Sequence, residues 1–275
     1  MSDPQTTSPS RITALFSRLG EQGRAAFIPY ITAGDPDLET SFSILCGLAE
    51  GGADLIELGV PFSDPMADGE VIQAAMLRAL QAGTTLKKVL ELVRRFRARH
   101  TTPLVLFGYL NPLYRHGLDA VAADAKEAGV DGMLVVDLPP EEADQLVTPL
   151  GRHGLDFIAL FTPTSDDGRI AAIAARASGF AYYVSMAGVT GDRLSAFEAV
   201  ADRVRRVSGI AGLPVAVGFG IQTVDDARAV SRFARGVVVG TALVRELSGA
   251  RPDEAKDKAR AFAERFAEAV ATPNA

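Results

Sequence analysis

Two carboxylates open the case for chemistry. Glu57 lies inside an otherwise apolar run, Leu55-Ile56-Glu57-Leu58-Gly59-Val60, and Asp68 follows eleven positions later in a loop that carries Pro61, Ser63, Asp64 and Pro65. An apolar run of this kind reads as a strand covered on both faces. A carboxylate placed there needs a partner, a raised pKa or a task. A loop of this length can fold back over the strand end. A buried Glu and a loop Asp can then face one cavity, hold different pKa values and divide proton transfer between them. Two other readings stay open at this level. Glu57 could pair with an Arg or Lys from elsewhere or turn to the rim of the fold, and Asp68 could cap the helix that starts near Glu70, a position Asp favours.

Three further clusters have chemical meaning. Gly218-Phe219-Gly220 and Gly240-Thr241 are glycine turns whose backbone N–H groups could approach an anion closely, or simply turn the chain. Ala187-Gly188-Val189-Thr190-Gly191 sets one hydroxyl among small residues, which suits a lid closing over substrate as well as a plain flexible loop. Tyr30, Phe107, Tyr109, Tyr182 and Phe219 sit near predicted strand ends, where aromatics either fill the core or line a site for a flat apolar ligand. His100, His116 and His153 lack the Cys or carboxylate spacing of a metal site, and Cys46 falls in an apolar helical pattern as a buried thiol.

The elements that must position these residues follow from periodicity. Ile12, Leu15, Phe16 and Leu19 recur at helical spacing in Ser10–Gln22. From there apolar strand runs alternate with helical stretches: Ala25–Thr32, Leu55–Val60, Pro103–Tyr109, Gly132–Val136, Leu155–Phe161, Ala181–Ser185, Pro214–Val217 and Gly236–Val239. Asn111-Pro112, Asp137-Leu138-Pro139-Pro140 and Thr162-Pro163-Thr164 read as strand exits, and Glu141–Leu150 as a helix. Eight β-then-α units with short connections predict a parallel sheet closed into a (β/α)8 TIM barrel, with an extra N-terminal helix. An open doubly wound sheet is the alternative. The 275 residues suit one such domain, with 1–9 and 271–275 expected as disordered tails. The unusual residues then fall on the loops after the strands, where barrel enzymes keep their chemistry. The glycine turns fall after strands seven and eight, a frequent phosphate site in barrels.

Composition narrows the class. The chain is 48% hydrophobic with a net charge of −6, which gives no electrostatic case for nucleic acid or an anionic membrane. No run approaches the ~20 apolar residues of a membrane span, the start lacks a signal-like apolar stretch, and a single cysteine suits a reducing cytoplasm.

Taken together, these residues closely resemble the tryptophan synthase alpha chain family. The most specific block is Glu57 to Gly69 with Gln73 following; Ile31-Thr32-Ala33-Gly34-Asp35-Pro36, Gly188-Val189-Thr190-Gly191, Gly218-Phe219-Gly220-Ile221 and Gly240-Thr241-Ala242 fall in the expected places. The resemblance implies a lyase that splits indole-3-glycerol phosphate by a retro-aldol reaction into indole and glyceraldehyde 3-phosphate. It implies Glu57 as general acid/base and Asp68 as the group that bonds the indole N–H as it becomes positive. Thr190 would order the closed lid against Asp68, and Gly191, Gly220, Gly240 and Thr241 would hold phosphate. Tyr30, Phe107, Leu134 and Tyr182, with Phe219, would line the indole site, and Tyr109 would support the acid pair. It implies no cofactor or metal in this chain, and pyridoxal phosphate in a beta chain that receives indole through a tunnel in an αββα assembly. Asp64, Asn111, Pro112 and Pro139 are the expected docking residues. Tyr30, Phe107, Glu70 and Thr241 stand where Phe, Leu, Pro and Ser are frequent, and Met186-Ala187 replaces a more polar pair; none of these changes removes a catalytic group. A Schiff-base aldolase on the same fold would need a strand lysine, and no predicted strand contains one. A barrel kept as a non-catalytic binding subunit would not need both acids.

Overall fold

The computed structural model describes residues 9–184, 193–218 and 220–271, with the side chains of 193–196 excepted. The element order is α1 (Arg11–Glu21), β1 (Ala26–Thr32), α2 (Leu38–Glu50), β2 (Ile56–Gly59), α3 (Glu70–Gln81), α4 (Leu86–Arg97), β3 (Leu104–Gly108), α5 (Leu110–His116), α6 (Leu118–Ala128) and β4 (Gly132–Val135). There follow a 3-10 turn at Pro140–Glu142, α7 (Asp144–Arg152), β5 (Asp156–Phe161), α8 (Asp167–Ala174), β6 (Ala181–Val184), α9 (Arg193–Ala211), β7 (Val215–Gly218), α10 (Val224–Ser231), β8 (Gly236–Val239), α11 (Thr241–Leu247) and α12 (Pro252–Val270). The eight strands pair in chain order, all parallel, and β8 closes onto β1, so the expected TIM barrel is what forms.

The strands bury both faces, and alternation sorts their residues into two cores. Phe27, Ile31, Ile56, Leu58, Leu104 and Leu106 point outward to the helices. Ile28, Tyr30, Val105, Phe107, Leu134, Tyr182 and Val238 point into the barrel. Glu57 stands between two outward residues, Ile56 and Leu58, and so shares the inward face. Side-chain caps start the helices where the sequence offers them: Ser10, Asp37, Thr85, Asp166 and Thr223 each accept a first-turn N–H.

The end of the barrel opposite the strand exits is sealed. The apolar stripe of α1, Ile12, Leu15, Phe16 and Leu19, joins the inner core, with Phe16 5.3 Å from Phe180. Around this plug, carboxylates bind the strand starts. Asp54 accepts the Phe27 N–H at 2.9 Å and a two-point Arg24 pair at 2.7 and 2.8 Å. Asp131 accepts the Leu104 N–H and Arg97, at 2.8 and 2.9 Å.

Two local expectations are corrected. Asn111 and Pro112 lie within α5, which starts at Leu110, and do not form an exit loop. Pro112 is the third residue of that helix, where the N–H that proline lacks has no intrahelical partner anyway. The helix expected over Glu141–Leu150 opens instead as the 3-10 turn and becomes α-helical only at Asp144. Among the described residues, no helix is long and apolar enough to cross a membrane.

Candidate active site

Register sets Glu57 level with Tyr30 of β1 and Val105 of β3, inside the barrel near the strand exits. Its side chain has no exposed surface, and neither carboxyl oxygen has a hydrogen-bond partner among the described residues. The ion-pair reading of Glu57 is therefore not realised. With no donor to offset burial, desolvation of the charged form pushes the carboxyl up to about 8.

Asp68 is placed by the loop after β2. The Met66 N–H bonds Asp64 O at 2.9 Å and the Asp68 N–H bonds Pro65 O at 3.1 Å, turning the chain back over the strand end. Gln73 on α3 holds the Asp68 carbonyl at 2.8 Å. The residue capping α3 is Gly69, and it makes no side-chain cap bond, so the capping reading of Asp68 fails too. The Asp68 carboxylate instead receives the Tyr109 hydroxyl at 2.6 Å, and that hydroxyl accepts the Ala67 N–H at 3.0 Å. One phenol thus fixes both the backbone and the acid of the loop. Burial raises the Asp68 pKa and the Tyr109 bond lowers it, with burial the larger influence.

Both acids line one cavity of about 140 Å³. Its apolar wall is Tyr30, Phe107 and Tyr182, with the Tyr30 and Phe107 rings edge to face at 5.3 Å and Phe107 and Tyr182 at 6.3 Å. Glycine makes this wall possible. A Cβ on Gly59 would strike the Tyr30 hydroxyl, and one on Gly218 would strike the Tyr182 hydroxyl, so each tyrosine leans across a glycine of the next strand. On another side stand Gly220, Gly240 and Thr241. Gly220 has φ 78°, which favours glycine. A Cβ on Gly240 would only touch the Tyr30 side chain, at 3.5 Å, an ordinary contact, so the protein's own packing would admit a side chain there.

Of the residues expected at the site, Glu57, Asp68, Tyr30, Phe107, Tyr182, Gly220, Gly240 and Thr241 meet at this cavity. Tyr109 acts on Asp68 from the side, and Leu134 is fully buried in the inner core and does not line the cavity. Thr190, Gly191 and Phe219 lie outside the described residues, as does the loop 187–191. Ile72, Ile221, Gln222 and Val238 line the cavity and were not anticipated. The inward alternation of β8 was a signal for Val238; Ile72 enters from α3 and had none. A larger groove of about 410 Å³ runs between the β4 exit and α8, but it touches neither acid. Among the described residues no three His, Cys, Asp or Glu side chains group as a metal would require.

At the same end of the barrel, Asp64, Asn111 and Pro139 are exposed and Pro112 is half-buried. Met66, 91% exposed, and Tyr114, 63% exposed, flank them as large apolar side chains left in water, which sequence periodicity did not flag.

Comparison with known proteins agrees with this geometry. The family model described as tryptophan synthase alpha chain matches residues 16–271. The tryptophan synthase alpha chain of Phenylobacterium zucineum (strain HLK1) is 56% identical over 242 residues, 88% of this chain and 87% of that one. Among solved structures, tryptophan synthase subunit alpha from Legionella pneumophila str. Paris superposes with a TM-score of 0.89 at 40% identity, covering 96% of this chain and 99% of that one. A tryptophan synthase from M. tuberculosis does so at 0.87 and 34%, covering 96% and 100%.

Proposed function

The chain belongs to the tryptophan synthase alpha chain family and is the lyase that cleaves indole-3-glycerol phosphate to indole and glyceraldehyde 3-phosphate, and on that premise we propose how its residues divide the reaction. Glu57 starts protonated and gives its proton to indole C3. The ring nitrogen becomes positive, and the Asp68 carboxylate bonds its N–H. Glu57, now a carboxylate, takes the proton from the glycerol C3′ hydroxyl as the bond between C3 and C3′ breaks. The bond pair returns to the ring and restores indole, the C3′–O pair closes to the aldehyde, and Glu57 ends protonated as it began. One group serves as acid and then base, so the enzyme needs no proton from solvent within the turnover. The observation that carries this assignment is the buried Glu57 carboxyl, without a partner among the described residues, on the same cavity as Asp68.

Tyr30, Phe107 and Tyr182 hold the flat ring, with Leu134, in register with Phe107, assigned to the same apolar site together with Phe219. The N–H groups of Gly220, Gly240 and Thr241, with Gly191, take the phosphate; the place of Gly220, Gly240 and Thr241 on the cavity of the two acids supports that use. Thr190 orders the lid over Asp68. The cavity of about 140 Å³ lies below the ~300–1,000 Å³ of pockets that bury a whole drug-sized ligand, which suits a ring held within and a glycerol phosphate reaching outward.

An alpha chain implies a beta-chain partner. The assembly we propose is αββα, docked through Asp64, Asn111, Pro112 and Pro139, with exposed Met66 and Tyr114 adding apolar contact. Pyridoxal phosphate belongs to the beta chain, and the alpha reaction draws on no cofactor. The cytoplasm is the setting, where Cys46, buried and free, stays reduced.

Indole release by wild type, Glu57→Gln and Asp68→Asn, each with and without beta chain, tests the assignment. Loss of either acid is expected to cost ~10²–10⁴-fold. Full activity in Glu57→Gln overturns the mechanism. A wild type equally fast without beta chain would favour a stand-alone indole-forming lyase.

A further inference from the structure

The helix α3 carries two residues of the site. Ile72 stands on the cavity wall, and the Gln73 amide donates to the Asp68 carbonyl at 2.8 Å and to that of Pro65 at 3.4 Å. One amide thus spans the loop that presents Asp68. Gln73 is only as well placed as its helix, and α3 is weakly held by its own packing. It has no side-chain cap, and its buried face is Ile72, two alanines and Met76, a flexible side chain that resists sliding poorly.

The firm anchor of α3 lies outside the cavity. Further along the helix, the Arg78 guanidinium donates from Nε and Nη2 to the two oxygens of Asp35, at 2.7 and 2.8 Å. A two-point pair fixes direction as well as distance. Among the described residues it is the one ion pair that α3 makes. Asp35 sits in the loop after β1 and is itself braced. Its N–H bonds Thr32 O at 3.3 Å, and the fully buried Ser41 of α2 accepts the Gly34 N–H at 2.8 Å and donates to the Asp35 carbonyl at 3.3 Å. The same loop grips the far end of the helix. Thr84, just beyond α3, packs so closely on Gly34 that a Cβ there would strike its side chain.

We propose that Asp35 and Arg78 are positioning residues that set α3 against the loop after β1 and so, through Gln73, hold Asp68 where it meets the indole nitrogen. Each link is a contact: Ser41 to Asp35, Asp35 to Arg78, the turns of α3, then Gln73 to Asp68. With the pair broken, α3 can slide on its alanine face, and Gln73 carries the Asp68 loop with it. The inference rests on Asp68 serving the indole nitrogen.

The test is steady-state indole release by wild type, Arg78→Met, Gln73→Met and the double variant, with Arg95→Met as control. Arg95 makes an equally close two-point pair with Glu39, which ties α4 to α2 and not to α3. Thermal melts establish that each variant is folded at the assay temperature. Should Arg78→Met not fold, Arg78→Lys, which keeps the charge and loses the two-point fit, takes its place and the same outcomes decide. Arg78→Met should lower kcat about tenfold with KM nearly unchanged, inside the ~10²-fold that an ångström-scale misplacement can cost. Arg95→Met should leave both constants as in wild type. The double variant should be no slower than Gln73→Met, because Arg78 acts through that amide. Full kcat in folded Arg78→Met or Gln73→Met overturns the proposal. So does a double variant whose loss is the product of the two single losses, or a loss in Arg95→Met equal to that in Arg78→Met. The parent reading fails separately: Asp68→Asn would then release indole as fast as wild type.

Discussion

A carboxyl buried with no donor among the described residues, as at Glu57, is tolerable only while it stays neutral. That condition links catalysis to stability. The unfolded Glu57 releases its proton near the ordinary glutamate value of 4.5, while the folded one keeps it to about 8. Between those values the folded state holds the extra proton, so stability falls as pH rises, by up to ~1.4 kcal/mol for each pH unit this site contributes. Glu57→Gln carries no titrating proton and lacks that slope. Urea unfolding at pH 5, 7 and 9 should therefore show the variant gaining on wild type with each step up in pH. A constant difference would mean that Glu57 is solvated or paired when folded. The acid's importance was legible in the sequence, since a Glu inside an apolar run is conspicuous. Its isolation was not, because any partner would have to come from other strands across the barrel. The Tyr109 bond to Asp68 was equally hidden, joining residues 41 positions apart.

Among the elements, α1 and β2 have opposite duties. The stripe of α1 plugs the sealed end, and Leu19 on it is 1% exposed. Leu19→Ala should cost ~2–5 kcal/mol of unfolding free energy, the range for truncating a packed leucine, while leaving kcat unchanged, because the acids stand at the other end of the strands. A matching loss in kcat would show that the plug is coupled to the site. Such elements were readable because helix and strand periods differ so plainly here. The helix α5 was missed for a physical reason. Pro112 looks like a breaker, and only a view of the helix start shows it in the first turn, where the Leu110 N–H is taken by Asp137 at 2.7 Å. The loop after β2 stood out in the sequence by its Pro, Ser and Asp content. Its path was not legible, since that path depends on Gln73 and Tyr109.

Across the whole molecule, the barrel separates the work by end. The sealed end gathers ion pairs that tie strand starts together, Arg24 with Asp54 and Arg97 with Asp131. The exit end carries the acids, the cavity and the exposed residues proposed for docking. Asp64 lies four positions before Asp68 in one loop, and the Met66 N–H bonds its carbonyl, so a partner gripping Asp64 would also act on the placement of Asp68. Asp64→Ala should accordingly weaken activation by beta chain more than basal cleavage. Indole release measured with and without saturating beta chain checks this, and equal losses in both assays would count against the coupling. The barrel itself could be read from eight repeated units, whereas the exposed apolar side chains at the exit end could not be read from periodicity, because Met66 and Tyr114 stand out only once their exposure is known.

The central claim is that burial alone keeps Glu57 protonated as the acid that starts turnover. The most direct measurement is kcat for indole release against pH from 6 to 10, in wild type and Glu57→Gln. The account predicts a wild-type rate that holds at neutral pH and falls tenfold per unit above a limb near about 8, with no such limb in the residual activity of the variant. A wild-type rate that stays level or climbs through that range would contradict it.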